Sequence, residues 1–203
     1  MKKAMKRVGI CFLFVSFFWV GVLAADRSHL NEELIRLHVV ANSDSTDDQT
    51  VKLQVKEAVV KSLQEAFENV SDVDEAKRWI AENLSMIQDI ANETLSHSGS
   101  DDRAVVSLCQ EAFDTRHYDT FTLPAGIYHA LKIKIGNAEG KNWWCVAFPS
   151  LCIPVTADEF EATAAGAGFT ETLSNALIQE EGYEVHFFLL DVMGRLENIF
   201  FAE

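Results

Sequence analysis

LIRLHVVANSDSTDD, residues Leu34 to Asp48, decides the fold. Leu34 to Ala41 is apolar and rich in β-branched residues, the composition of a buried strand. Asn42 to Asp48 then reads as a turn running into a helix cap. Thr46 and Gln49 have capping-box spacing, and Asp47 and Asp48 suit the positive end of a helix. The helix is expected from about Asp47 to Glu68, with Val51, Val55, Ala58, Val59, Ser62 and Ala66 on its buried stripe.

Asp72 and Glu75 have the spacing of a second cap. The helix behind it carries Ala76, Ile80, Leu84, Ile87, Ala91 and Leu95 along one face, so a short connection makes an antiparallel helix hairpin. Ser98 to Asp102 breaks the helical pattern, and strands are expected from there. Val105 to Gln110 is one candidate. Gly126 to Ile135 is another, with Tyr128, Ala130, Lys132 and Lys134 alternating against Ile127, His129, Leu131, Ile133 and Ile135. Asn137 to Gly140 is a hairpin signal, with Asn142 to Phe148 returning. Thr156 to Gly182 reads as flexible around a short helix at Thr170 to Leu177, and Glu184 to Leu190 as a last strand before an apolar tail. This order indicates an α+β domain, a helix hairpin packed on one face of a mixed or antiparallel sheet.

Ahead of that domain, Lys2, Lys3, Lys6 and Arg7 precede an uncharged apolar run from Val8 to Leu23 and then Ala24-Ala25-Asp26. A basic start, an apolar middle and small residues at the exit form the plan of a secretory signal peptide, with cleavage expected after Ala24. The rival is an uncleaved anchor, although the run is slightly shorter than the roughly 20 residues of a spanning helix. The boundaries are thus 1–24 for the leader and 25–203 for a single domain, and both readings put that domain outside the membrane.

The 203-residue chain carries a formal charge of −14. Without the leader, Lys and Arg fall from 17 to 13 against 31 acids, leaving −18. Such a domain is repelled by nucleic acid and by anionic lipid, and contact with a membrane is expected only through the leader or a receptor.

Removal of the leader takes Cys11 with it and leaves Cys109, Cys145 and Cys152. Outside the cell a disulfide persists. Seven extended steps would hold Cys145 and Cys152 more than about 20 Å apart, so a bridge between them requires a turn, which Pro149-Ser150 offers. Cys109, in an apolar run, reads as a buried thiol. The competing reading makes Cys145 a nucleophile with His38 or His129 as base and Asp44 as orienter; no local signature supports that grouping, and a bridge would disable it.

Other chemistry fits poorly. Gly136 to Asn142 lacks the spacing and the hydroxyl of a phosphate loop. The six histidines are dispersed, without a zinc-site context, and Asn42 to Asp48 lacks the glycine and glutamate of a calcium loop. No catalytic residue, metal, cofactor or small-molecule substrate is therefore expected. Trp143 and Trp144 are adjacent on a strand and must point to opposite faces. One is expected in the core; the other is either buried too or exposed as an anchor for a partner, which a further alternative, an exported cell-wall-binding module, would make a wall glycan.

Three segments together carry a family resemblance. Leu34 to Ser45, followed by Asp47-Asp48-Gln49, looks like the opening of stage II sporulation protein R. Leu123 to Ala130, Ile135-Gly-Asn137, and Asn142-Trp-Trp-Cys-Val146 through Phe148-Pro149 to Leu151-Cys152 resemble that family's most distinctive stretch. Glu184 to Leu190 is similar to its closing strand. Ser150 and Asp114 each stand where the family pattern has a proline, and the apolar carboxyl tail departs from it.

The resemblance implies a protein exported from the forespore into the space between the two sporangial membranes. There it would trigger a membrane-embedded aspartic protease that processes the sigma-E precursor, acting as a ligand and not as an enzyme. On physical grounds Asn42, Ser43 and Asp44, polar residues after a buried strand with no evident packing role, and Trp143 and Trp144, beside the Cys145–Cys152 loop, are the candidate contact residues.

Overall fold

The chain is described by a computed structural model over residues 2–149, 152, 157–167, 169–178 and 182–201. Its centre is β1 (Ile35–Val40), buried along its whole length. On one side β1 pairs in parallel with β5 (Gly126–Ile135), and on the other antiparallel with β6 (Asn142–Phe148). β2 (Ala104–Phe113) pairs antiparallel with β5, giving a mixed sheet of order β2-β5-β1-β6.

Alternation along the strands sorts the side chains into two layers. Ile35, Leu37 and Val39 face one core with Leu131, Ile133 and Cys145. That core is roofed by α2 (Thr46–Phe67), α3 (Val73–Glu82) and α4 (Leu84–His97), which contribute Val55, Val59, Ile80, Ile87 and Leu95. The opposite face carries Tyr128, Ala130 and Val146. It is covered at one end by α1 (Lys2–Glu33), α5 (Ala157–Gly166), α6 (Glu171–Ile178) and α7 (Glu184–Phe201), through Leu30, Phe160, Leu173, Leu177 and Leu190. A small ribbon, β3 (Arg116–His117) with β4 (Thr122–Leu123), flanks that layer.

The α+β class and the mixed sheet are as the sequence indicates, and β5 and β6 have the expected limits. Other details differ, among them the length of β2, which is Ala104–Phe113 and not Val105 to Gln110, and α5, which occupies part of the stretch read as flexible; four bear on how the chain is connected. Ser45, not Thr46, caps α2, accepting from the Asp48 amide at 3.1 Å. The second helix of the hairpin divides at Asn83 into α3 and α4. Asn137 to Gly140 does not close a hairpin, because β1 is inserted between β5 and β6.

The fourth is the expected last strand, Glu184 to Leu190, which is the first half of α7. A short continuous apolar run fits a buried strand and a buried helix equally, and here the pattern continues helically to Phe201. Helices therefore lie on both faces of the sheet. α1 runs unbroken through the expected leader boundary, with Leu23, Asp26, Arg27 and Leu30 buried.

Candidate partner-binding site

Leu34 to Ser45 and Asn142 to Phe148 are about a hundred residues apart in the chain and side by side in space. β1 and β6 pair with Val40 opposite Asn142, Val39 opposite Trp143, His38 opposite Trp144 and Leu37 opposite Cys145. The turn after β1 and the residues entering β6 thus share one end of the sheet.

Asn42, Ser43 and Asp44 have a structural task there, one that no local feature of the sequence makes evident. The β5–β6 connection must cross over the end of β1, and this turn holds it. Asn42 Oδ1 accepts from the Asn137 amide at 2.9 Å and Asp44 Oδ1 from the Lys141 amide at 2.6 Å. Backbone carbonyls of Ala41 and Asn42 take the Gly140 and Glu139 amides. A β-carbon on Gly140 would come within 2.2 Å of the Ser43 carbonyl oxygen, so only glycine permits this approach.

Ser43 and Asn42 also donate to Asp48, and the Ser43 hydrogen bond first among these holds the Asp48 carboxyl below its ordinary range. Lys52 donates to Gln49 and to the Lys141 carbonyl, while burial pushes its ammonium down. The signal in the sequence was a run of short polar side chains; their partners lie some 95 residues away and were not legible.

The tryptophans point to opposite faces, as alternation requires, and each is half-buried. Trp143 packs against the core under α2, with Lys56 Nζ 5.1 Å from its ring centre. Trp144 stacks with His38 at 5.5 Å and carries the Arg116 guanidinium 3.5 Å from its ring centre. Neither is a freely exposed platform.

Around His38 lies a polar cluster that the sequence did not single out. His38 Nδ1 meets Glu111 Oε2 at 2.8 Å, and Lys132 bonds the other oxygen of the same carboxylate. Burial pushes the Glu111 carboxyl up, but the bonds from His38 and Lys132 outweigh it and hold it low. Arg36, fully buried beneath, donates to the Tyr118 hydroxyl at 2.9 Å and lies 4.0 Å from the Phe113 ring centre. The uncovered half of this face forms a groove of about 520 Å³ lined by His38, Lys132, Lys134, Asn142 and the 136–138 turn.

A disulfide joins Cys145 to Cys152, with Cα atoms 5.1 Å apart. Ser150 and Leu151, within the loop it closes, lie outside the described residues. Cys109 is free and half-buried, and burial, followed by the nearby Glu111, raises its thiol above the ordinary range. With Cys145 bridged, the cysteine-nucleophile arrangement has no thiolate to use.

A family model described as stage II sporulation protein R matches residues 31–158. The chain is 36% identical over 158 residues to the stage II sporulation protein R of Bacillus subtilis (strain 168), covering 72% of this chain and 70% of that one. No solved structure matches. The matched segment holds the whole sheet and α2 to α4, and leaves α6 and α7 outside.

Proposed function

The chain belongs to the stage II sporulation protein R family, and on that premise we propose that it is an exported signal that activates a membrane-embedded aspartic protease processing the sigma-E precursor. It acts in the space between forespore and mother cell, as a ligand and without a cofactor. The receptor contact is formed by the sheet end that carries Asn42, Ser43, Asp44, Trp143 and Trp144.

One observation carries this reading: the opening stretch and the distinctive tryptophan–cysteine stretch that carry the family resemblance are adjacent strands, pinned to each other at one edge. Asn42 and Asp44 fix the 136–141 connection, and the disulfide fixes the exit of β6. Such a surface is ordered before it meets a partner, which lowers the entropic cost of binding. Asn42 and Asp44 then serve as positioning residues, while Trp144, with Arg116 over it, and the neighbouring groove offer the contact.

The test is co-expression of the chain with the protease and the sigma-E precursor in a non-sporulating host, following precursor cleavage by gel. Cleavage that needs both this chain and its leader supports the reading. Cleavage independent of either, with all three proteins present, contradicts it.

A further inference from the structure

α7 is apolar on two sides. His186, Phe187, Leu190 and Gly194 are buried against the body. At about 100° per residue, Val185, Phe188, Leu189, Leu196, Ile199 and Phe200 fall within a separate arc of about 120°, extending about 22 Å along the helix. All six are exposed, Phe188 by 62% and Phe200 by 75%. A helix that is apolar on both sides requires cover on both.

The charges of α7 are turned away from that arc. Glu197 accepts from Arg27 at 2.6 Å, and Asp191 accepts from the Ala125 amide at 2.8 Å. Arg195, at the border, bends to Asp191 and Thr115, and Glu184 accepts from the Gly182 amide. The arc thus offers no charge or hydrogen-bonding group by which a protein partner would fix its register. A non-directional apolar solvent fits it better.

α7 is moreover fastened to α1. Asp26 bonds His186 at 2.8 Å, and Arg27 joins Glu197 to the Ala125 carbonyl. The same α1 carries the uncharged run from Val8 to Leu23, on which Phe17, Phe18 and Trp19 are exposed.

We propose that the outward face of α7 is a membrane-contact surface, lying on a bilayer of zwitterionic headgroups beside the apolar run of α1. The net charge of −14 disfavours anionic lipid. The proposal rests on reading α1 as the uncleaved anchor, because cleavage after Ala24 would remove Phe17, Phe18 and Trp19. It adds a tether outside the family-matched segment, one that keeps the sheet-end contact surface close to a membrane receptor.

The test uses the full chain with Cys11→Ser and Cys109→Ser, reconstituted with phosphatidylcholine vesicles containing nitroxide-labelled lipid. An environment-sensitive fluorophore is attached through Ile199→Cys, Phe18→Cys or, as the exposed control on α2, Lys61→Cys. The expected result is quenching at 199 of at least roughly half that at 18, as for an interfacial helix, with little at 61. Leu196→Glu should bring quenching at 199 down to the level at 61, with circular dichroism unchanged.

Quenching at 18 without quenching at 199 overturns the proposal and leaves the export reading standing. Absence of quenching at 18 removes the premise itself. A blue shift at 199 that grows with protein concentration and is insensitive to the lipid nitroxide identifies a second copy of the chain on this face, and likewise overturns it.

Discussion

His38 on β1 and Glu111 on β2 meet at 2.8 Å although β5 lies between their strands. Glu111 reaches diagonally over the sheet, and Lys132 on β5 bonds its second oxygen. Three strands are thereby cross-linked on the open face, and the His38 ring is held in its stack on Trp144. The carboxylate is the hub: without it a buried imidazole and a half-buried ammonium both lose their partner.

The hub makes stability depend on acid. Since the folded-state pKa of Glu111 is depressed, its contribution is present above the ordinary value of 4.5 and lost as pH falls through the lower folded value. Urea unfolding between neutral pH and pH about 3 should show Glu111→Gln less stable at neutrality and shallower in its acid dependence. Parallel profiles for the two proteins would refute the role given to this carboxylate.

Asn42→Ala should release the crossover loop. The exposed Asn137 amide loses its acceptor and Asp48 loses a donor, a cost of about 0.5–1.5 kcal/mol. Amide exchange at Asn137 and Glu139 should accelerate while exchange in α4 stays unchanged. Uniform acceleration across the chain would mean that Asn42 supports the whole fold and not this loop.

The disulfide predicts equal effects from its two ends. Cys145→Ser and Cys152→Ser should each lower stability by about 2.5 kcal/mol under oxidising conditions, the chain-entropy value for so small a loop. Under reducing conditions the native chain should approach the variants. A loss of the proposed protease activation confined to Cys145→Ser would instead point to a thiol reaction.

Gly194 lets α7 approach the segment ahead of β5. A β-carbon there would stand 1.6 Å from the Ala125 carbonyl oxygen. Gly194→Ala should therefore cost about 1–3 kcal/mol by overpacking, whereas Leu196→Ala on the outer face should stay within about 0.5 kcal/mol. Thermal unfolding of the two variants separates them, and equal midpoints would contradict the packing of α7.

The sheet was legible because period-two alternation in Gly126 to Ile135 leaves no helical alternative, and because Trp143 and Trp144 fit a strand. The order of its strands was not. Asn137 to Gly140 has the residues of a tight turn, and nothing local reveals that β1 occupies the space between β5 and β6. EVHFFLL, residues Glu184 to Leu190, lacks any period that separates strand from helix, so the sequence does not reveal the C-terminal helical layer. At the candidate site, the polar turn and the cysteine pair were visible as residue types. The Glu111, Lys132 and Arg116 contacts were not, since they join side chains 21 to 73 residues apart or reach across the small ribbon.

As proposed, this chain acts from outside a membrane on a protease within it. The most direct measurement adds the purified, oxidised chain to protoplasts of a non-sporulating host that make the protease and the sigma-E precursor, and follows the precursor by gel. The expected result is cleavage that rises with the amount of chain added and fails when the protease is inactive. An intact precursor at every dose, or cleavage only when the chain is made in the cytoplasm beside the precursor, would contradict it.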